Sequence, residues 1–400
     1  MKVCWRAADL PQSGFAVVTD SPTDLPDFVP LATPPGAPIV YCHPTKAPNT
    51  GPLVVIDPET LRYLVCMGDG ERTILLPQPM LPHWDWINAE AEAYKKNRWI
   101  PAAIKRVEAN GEKHPAYTIS RDNFRLFVEP YKARIEEVKI RLQDDASRRL
   151  YKAILGMDFD WLVNRFWERR FVSTQYFEGL ILKPGMTILN VGVWNGWDIP
   201  FWLSGMTKQN GYQAGHLVCV DPVPPDLLTE YAQLWVESCH KEQCRISFQN
   251  VALDEYDGSV LLPMDETWQA IGRANGETME GLTQKKFPCR RLDTFWPALQ
   301  EKAGLASFES RPGKIDVLKM DTEGAELAIL RGGLNTLREY RPQMAISIYH
   351  TPTDLLEIPL WAMRQFKRYR FWIRSYTYVG WETILYAIPE EVGVPPYLAS

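Results

Sequence analysis

Short apolar runs and amphipathic segments alternate along the second half of the chain. The apolar runs, each bounded by turn residues, predict strands; they lie at residues 186–193, 217–222, 246–254, 315–321 and 344–350. The segments between them predict helices at residues 196–206, 227–240, 323–330 and 353–366. Strands that alternate with helices predict a parallel sheet with helices on both faces.

Two further apolar runs end this pattern, at residues 371–377 and 383–389, with only a short connection around Gly380 between them. Parallel neighbours need a long crossover, so these two strands are predicted to be antiparallel. The fold class is therefore α/β, with an open seven-stranded sheet whose last hairpin is antiparallel.

The first part of the chain has a different pattern. Short apolar runs bounded by Gly, Pro and Asp predict a small Pro-rich unit of strands; they lie at residues 14–19, 37–44, 53–57, 61–68 and 72–77. Proline cannot donate to a strand ladder, so these strands are expected to be short or at sheet edges. Helical patterns follow at residues 89–97 and 102–110. Residues 1–125 are thus predicted to be an accessory region without a catalytic constellation.

A longer helical pattern covers residues 130–155. Its apolar residues recur every three or four positions and form one stripe, made of Ile135, Val138, Leu142, Ala146, Leu150 and Ile154. Such a stripe is typical of core packing or of the seam of a homodimer. We therefore predict a helical linker over residues 126–182 that packs on a third region, residues 183–400.

Composition narrows the class of protein. With 400 residues the chain has room for two or three domains at about 150 residues each. The 44 basic against 49 acidic residues argue against a nucleic-acid or anionic-membrane partner. No run reaches the roughly 18 apolar residues of a membrane span, and the N-terminus lacks the apolar core of a secretory signal. Seven cysteines without a CxxC pair predict a reduced, cytoplasmic protein without structural zinc.

Ligands of open α/β sheets bind at the carboxyl ends of the strands, so each predicted strand end is a candidate site. After the first strand, Gly192 and Gly196 frame a tight turn that also contains Asn195. A dinucleotide fingerprint would need glycine at two positions held by Trp194 and Trp197, which counts against a nicotinamide or flavin oxidoreductase.

The second strand end supplies a carboxylate and the third an amide. Asp221 can accept both ribose hydroxyls of a nucleoside, or it can be a turn aspartate, and the pattern alone does not separate the two. Asn250, Val251 and Ala252 form a small apolar ledge with one amide, which suits the edge of an adenine.

The fourth and fifth strand ends have the largest number of ionisable side chains. Asp321, Glu323 and Glu326 place three carboxylates within six residues at a strand end that opens a helix. They either complement the helix dipole or form part of a site. His350 ends the fifth strand, beside this acidic cluster, and is either structural or part of the site.

These residues, taken together, resemble the FkbM family of S-adenosylmethionine-dependent methyltransferases. The likeness covers roughly residues 145–390. The motifs that carry it, in chain order, are Gln175-Tyr176-Phe177, the 190–196 turn, 250–253, 291–293, 315–326, 330–333, Arg341-Pro342, 348–350, Asp354-Leu355 and 382–387. The resemblance implies a class I, Rossmann-like methyltransferase fold and transfer of a methyl group to a hydroxyl of a sugar, polyketide or other natural product.

With S-adenosylmethionine as the cofactor, the strand ends become predicted cofactor contacts. They are Tyr176, Asn190, Gly192, Trp194, Asn195, Gly196, Asp221, Asn250, Val251, Ala252 and Asp321. Tyr176 either hydrogen-bonds the cofactor carboxylate or packs on the sheet edge. Trp194 and Trp197 are expected to face the ligand, whereas core packing is expected for most other tryptophans.

Asn190 departs from the family, which usually has an acidic residue at this position. An amide lacks the charge that attracts the ammonium group of the cofactor, unless Asp198 or Glu178 supplies it. This departure favours an alternative function, a non-catalytic binding or scaffold protein acting through its N-terminal region. The acidic cluster, Asp221 and His350 favour the enzyme.

Methyl transfer to a hydroxyl needs alignment and removal of the acceptor proton. His350, with an ordinary pKa near 6.5, is the preferred base. Asp321 would face the methionine end of the cofactor and Glu323 would orient the acceptor or cofactor. Alternatively, these side chains only cap the helix and pin the next loop. Asp321 and Glu323 have no further ligand at metal spacing, so no metal is expected.

Overall fold

The computed structural model divides the chain into two compact units, Met1–Lys105 with Trp167–Ser173 and Arg106–Phe166 with Thr174–Ser400. The structure describes residues 2–4, 16–19, 39–41, 53–55, 73–75, 121–158, 161–162, 175–177, 179–206, 215–222, 228, 232–233, 236–237, 244–264, 283–303, 314–376, 380, 382–395 and 398. Within these residues, no helix combines the length and the apolar character that crossing a bilayer requires.

The first unit contains a sheet of five short strands. They are β1 (Lys2–Cys4), β2 (Ala16–Thr19), β3 (Ile39–Tyr41), β4 (Leu53–Val55) and β5 (Thr73–Leu75), in the order β1-β5-β4-β2-β3. Every neighbouring pair in this sheet is parallel. Four of the predicted runs contain β2 to β5, while β1 was not predicted. The predicted strand at 61–68 and the helices at 89–97 and 102–110 lie outside the described residues.

The second unit is built on a seven-stranded sheet. Its strands are β6 (Thr187–Val191), β7 (Gly215–Val220), β8 (Cys244–Gln249), β12 (Val317–Met320), β13 (Gln343–Ser347), β14 (Tyr369–Ser375) and β15 (Thr383–Pro389), in the order β14-β15-β13-β12-β6-β7-β8. Strand β15 runs opposite to the other six strands of this sheet and is antiparallel to both of its neighbours, β13 and β14. The predicted α/β fold with an antiparallel last hairpin is confirmed.

Both faces of this sheet are covered, because successive strand residues enter two different cores. Leu189 and Val191 pack into one core with residues of β7, β12 and β13. Ile188, between them in the chain, packs into the other core with Leu217 and Val317. The chain leaves β6 towards β8 on one side and returns to β12 on the other, so the strand order reverses between β6 and β12. That reversal is where a ligand crevice forms.

A second, three-stranded sheet interrupts the alternation. It consists of β9 (Ala252–Leu253), β10 (Gly258–Met264) and β11 (Thr283–Arg290), in the order β10-β11-β9. The single strand predicted at 246–254 is therefore wrong, because a turn in which Val251 N donates to Gln249 O ends β8 before β9 begins. The β10–β11 hairpin was missed, since β11 is rich in Lys and contains Pro288.

The predicted helix at 130–155 is divided. Helix α1 (Arg121–Val128) leads through a 3₁₀ turn to α2 (Lys132–Arg141), and α3 (Asp145–Gly156) follows after a break. Leu142 is extended and pairs with Phe371, and Asp144 caps α3 by accepting from Ser147 N at 2.7 Å. Aspartate is a strong N-cap, and here it ends one helix pattern and starts another.

The other helices of the described residues are α4 (Ile199–Met206), α5 (Leu292–Ala303), α6 (Glu326–Gly332), α7 (Leu334–Tyr340) and α8 (Asp354–Gln365). Helices α5 and α7 were not predicted, and the helix predicted at 227–240 lies mostly outside the described residues. The apolar stripe of α2 and α3 belongs to the core: Val138, Leu142, Leu150 and Ile154 are buried in it and Ile135 packs against it. Core packing, rather than a dimer seam, accounts for the stripe.

His216 in β7 generates a prediction on stability. Its side chain is buried, with Nε2 3.0 Å from Ser247 Oγ. Burial, with a smaller effect of Arg245, lowers its pKa to about 4. Between pH 6.5 and 4 the His216 imidazole is therefore protonated in the unfolded chain but not in the folded chain. The free energy of unfolding should thus decrease as pH falls through this window, by on the order of 3 kcal/mol.

Urea unfolding measured from pH 7 to pH 4 checks this expectation. The variant His216→Gln should show a shallower decline than the wild type, because its side chain does not titrate. Ser247→Ala, which removes the partner but keeps the histidine, is the matched control and should retain the steep decline. Equal slopes for the wild type and His216→Gln would contradict the assignment.

Candidate active site

The carboxyl ends of β6 and β12 approach each other more closely than a side chain would allow. Gly192 has a φ of +78°, and a Cβ added to it would lie 1.7 Å from the carbonyl oxygen of Asp321. Gly192 N donates to Val220 O at 3.0 Å and Asp321 N donates to Val191 O at 3.0 Å. Gly192 is therefore required by backbone packing at the point where the strand order reverses.

The turn after Gly192 is fixed by the next strand. One oxygen of Asp221, Oδ2, accepts from Val193 N at 2.8 Å and from Trp194 N at 3.2 Å. Trp194 adopts a φ of +49° and is 56% exposed. Of the two interpretations of Asp221, the turn aspartate is thus seen directly, and its bonds fix the backbone of the exposed Trp194.

Other residues of this turn have structural contacts. Asn195 Oδ1 accepts from Trp197 N at 3.2 Å. Gly196 has a φ of +73°, and a Cβ there would lie 2.5 Å from Leu228 Cδ2. Trp197 is half-buried and its ring lies 6.0 Å from that of Tyr176. Trp197 therefore packs within an aromatic cluster, whereas Trp194 is exposed, and the expectation that these rings face a ligand stays a prediction.

A buried ion pair lies beneath the turn. Asp198 and Lys319 are 1% and 3% exposed, with Lys319 Nζ 3.4 Å from Asp198 Oδ2. Asp198 also accepts from Asn190 Nδ2 at 3.2 Å and from Trp202 Nε1 at 3.1 Å. Lys319 in turn donates to the carbonyl oxygen of Gly192.

Asn190 is part of this buried network. Its side chain is wholly buried, with Nδ2 donating to Asp198 and Oδ1 without a hydrogen-bond partner in the part of the chain that the structure describes, so a contact from Asn190 to the cofactor stays a prediction. Asp198 does supply a carboxylate near position 190, but that charge is paired with Lys319. Glu178 lies outside the described residues.

Asp321 is the centre of the polar cluster at the end of β12. Its Oδ2 accepts from Tyr176 Oη at 2.5 Å, and its Oδ1 accepts from Tyr349 Oη at 3.3 Å and lies 3.2 Å from His350 Nε2. Burial alone would raise the pKa of Asp321, but His350, Lys319 and the Tyr176 hydrogen bond hold it well below its usual value. Asp321 is therefore a carboxylate at neutral pH.

His350 lies between two carboxylates. It is 7% exposed, with Nε2 3.2 Å from Asp321 Oδ1 and Nδ1 3.0 Å from Glu326 Oε1. Burial lowers the pKa of a histidine, yet the charges and hydrogen-bonding capacity of Glu326 and Asp321 outweigh burial and raise this pKa well above 6.5. A histidine that holds a proton at neutral pH cannot accept another, so the raised pKa weighs against the role of His350 as the base, which stays a prediction.

Glu326 belongs to the acidic cluster noted in the sequence, but no individual role was predicted for it. It is fully buried at the start of α6, where Oε1 accepts from Thr322 N at 2.6 Å and Oε2 accepts from Gly324 N at 3.1 Å. These bonds hold a turn in which Glu323 has a φ of +54°. Burial, then the charges of Asp321 and Glu326, raise the pKa of Glu323, and its Oε2 lies 3.7 Å from His350 Nε2. The helix therefore begins three residues after its predicted start.

Glu382 and Gln175 complete the cluster. Gln175 Nε2 donates to Tyr176 Oη at 2.9 Å and also to Glu382 Oε2. Burial, followed by the charge of Asp321, raises the pKa of Glu382 to about 7. Glu382 has a φ of +53° and Tyr176 a φ of +67°, conformations that non-glycine residues hold only where the surroundings over-determine them. Both residues belong to motifs noted in the sequence. For Glu382, membership of the 382–387 motif is the only sequence signal that could have identified it.

The third strand end lies where β8 gives way to β9. There Asn250 is exposed, Val251 is half-buried and Ala252 is buried, and their contact with an adenine stays a prediction. Tyr176 is wholly buried and donates to Asp321, which favours packing on the sheet over a bond to the cofactor carboxylate. The strand ends of β6, β7, β8, β12 and β13 thus carry most of the predicted residues, in family order.

Comparison with known families agrees with this geometry. Residues 215–379 match the model of the methyltransferase FkbM domain. Residues 215–379 are thus a methyltransferase domain of the FkbM type, and the resemblance inferred from the motifs is confirmed over this range. The crystal structure of methyltransferase FkbM from Methylobacillus flagellatus KT is similar to this chain, with 16% identity, a TM-score of 0.46, and coverage of 95% of this chain and 91% of that one. No curated protein sequence matches the chain.

The contact between Gly192 and Asp321 generates a second prediction. Gly192→Ala should disrupt the end of β6, because its methyl group would overlap a backbone carbonyl that cannot move aside. We expect a thermal midpoint several degrees lower and loss of cofactor binding. Gly156→Ala is the matched control, since an added Cβ there meets nothing within 4 Å. Thermal melting measures the midpoint of each variant, and calorimetry measures its binding of the cofactor. A wild-type midpoint and wild-type cofactor binding in Gly192→Ala would refute the close contact.

Proposed function

We propose that the FkbM domain transfers a methyl group from S-adenosylmethionine to a hydroxyl of a sugar, polyketide or other natural product. The observation that carries this proposal is the cluster of carboxylates beside the glycine turn. Asp321, Glu323 and Glu382 gather there around His350. When bound, the cofactor supplies an activated methyl group on a positively charged sulfur, and a negatively charged site favours such a cation.

The residues at the strand ends fit the parts of this cofactor. Trp194 is a large aromatic side chain left 56% exposed beside Asp221, an arrangement suited to a flat base and a ribose. Asn250 and Val251 would border the adenine edge. Asp321 would face the methionine end, where its ionised carboxylate meets the ammonium group.

The acceptor proton needs a base whose pKa lies near the working pH. His350 holds its proton between Asp321 and Glu326 and does not meet this requirement. Glu382 does, because burial and Asp321 raise its pKa to about 7. We therefore assign proton acceptance to Glu382, while Gln175, which donates to it, holds its orientation.

The scaffold alternative was based on Asn190. In the structure Asn190 Nδ2 donates to Asp198, whose charge is paired with Lys319, while Asn190 Oδ1 has no hydrogen-bond partner among the described residues. The acidic cluster around Asp321, rather than position 190, favours the enzyme over a non-catalytic scaffold. A homodimer, a cytoplasmic location and a purely small-molecule acceptor stay predictions.

Cofactor binding is the first test. Calorimetry with S-adenosylhomocysteine should give one site per chain with a micromolar Kd, and Asp221→Ala should weaken it at least tenfold, because the turn and the ribose acceptor are lost together. Asp257→Asn, an exposed change near Arg291, is the control and should bind as the wild type does. Absence of binding at millimolar ligand would refute the enzyme and favour the scaffold.

The role of Glu382 is tested by its pH dependence. The base must be deprotonated to act, so wild-type turnover of labelled S-adenosylmethionine with a hydroxyl acceptor should rise as pH increases through about 7. Glu382→Gln should lower kcat by about 10²-fold or more and lose this inflection. Glu255→Gln, at a half-exposed side chain, is the matched control. Unaltered kcat in Glu382→Gln would remove Glu382 from the reaction.

A further inference from the structure

We propose that Asp321, Glu326 and His350 form a binding site for a divalent metal cation. The three residues come from separate places in the chain, the end of β12, the start of α6 and the end of β13. One ligand atom from each lies within 4.8 Å of the others. Methyl transfer from a sulfonium does not in itself call for a metal, so this site is an addition to the proposed function and does not depend on it.

The chemistry of the three side chains is that of a transition-metal site. One imidazole nitrogen with two carboxylates suits Mn²⁺, Fe²⁺, Co²⁺ or Zn²⁺ better than Ca²⁺ or Mg²⁺, which prefer oxygen ligands alone. The carboxylates are rigidly held, because Glu326 is fixed by the amides of Thr322 and Gly324. Asp321 is fixed by the hydroxyl of Tyr176. A cation would therefore meet ligands that are already in position.

His350 provides the second, independent observation. It is more than nine-tenths buried, and both of its ring nitrogens lack a well-directed hydrogen bond although carboxylate oxygens lie 3.0 and 3.2 Å away. Buried polar atoms without such a bond are uncommon in folded proteins. A cation on one ring nitrogen would satisfy it, and the carboxylate facing the other nitrogen would then fix the ring, as is general for metal-bound histidines.

The negative charge around His350 also favours a bound cation. Glu323 Oε2 lies 3.7 Å from Nε2, so three carboxylates surround one imidazole. The nearby ammonium of Lys319 is already paired with Asp198. The half-exposed Glu323 side chain lies at the open side of the cluster, where a water or an acceptor hydroxyl would complete the coordination of a cation.

The test uses the full chain, stripped with EDTA and titrated with Mn²⁺ in the absence of S-adenosylmethionine. Free Mn²⁺ measured by electron paramagnetic resonance should reveal one site per chain with a Kd in the micromolar range. Zn²⁺ should compete for it, and either metal should raise the thermal midpoint of the wild-type protein by several degrees. Because no methyl donor or acceptor is present, failure here is distinct from failure of the proposed function.

Variants assign the site. His350→Gln and Glu326→Gln should each weaken Mn²⁺ binding at least tenfold, while Asp257→Asn, a change of carboxylate outside the cluster, should leave it unaltered. Circular dichroism establishes that each variant is folded, and the metal-induced thermal shift of the wild type stands even if one of them is not. No binding of Mn²⁺ or Zn²⁺ at 1 mM, or binding that His350→Gln retains in full, would overturn the proposal.

Discussion

The close approach of β6 to β12 is the constraint on which the site depends. Only a glycine at position 192 permits it, since any Cβ would overlap the carbonyl of Asp321. The contact brings the turn after β6 to the end of β12 at the point where the strand order reverses. Asp321 thereby lies beside a turn whose backbone amides are already held by Asp221, and the remaining side chains of the cluster converge on this carboxylate.

The buried pair of Lys319 and Asp198 supports this contact from below. Removing two charges from water costs more than their attraction returns unless further hydrogen bonds satisfy them. Here Asn190 and Trp202 donate to Asp198, and Lys319 donates to Gly192, so both charges are well satisfied. An acidic residue at position 190 would set two carboxylates against one ammonium. The amide at 190 and the acid at 198 are therefore complementary, and the departure from the family pattern has a structural cause.

Periodicity was sufficient to predict the main sheet, because its strands are apolar on both faces and its helices lie between them. Periodicity was insufficient for elements whose bounds depend on a capping residue or on contacts with distant strands. Asp144 ends the helical stripe with a cap, and the Lys-rich strand β11 has no apolar alternation to detect. In the site, the strand-end residues Asp221, Asp321 and His350 followed from topology. The strand-end cluster included Glu326, but its contact with His350 could not be predicted, and neither could the place of Glu382, because both depend on distances to residues remote in the chain.

His350 shows why residue type alone does not assign a catalytic role. A histidine considered by itself has a pKa that suits proton transfer at neutral pH. Placed between Asp321 and Glu326 in a buried site, the same ring is stabilised as a cation, because the two charges outweigh the cost of burial. The same two carboxylates that hold this proton are the partners of His350 in the proposed metal site, where a cation would replace the proton without moving either carboxylate. In the proposed reaction, proton acceptance is assigned to Glu382, whose pKa is raised by burial, whereas the partners of Asp321 outweigh burial and lower its pKa.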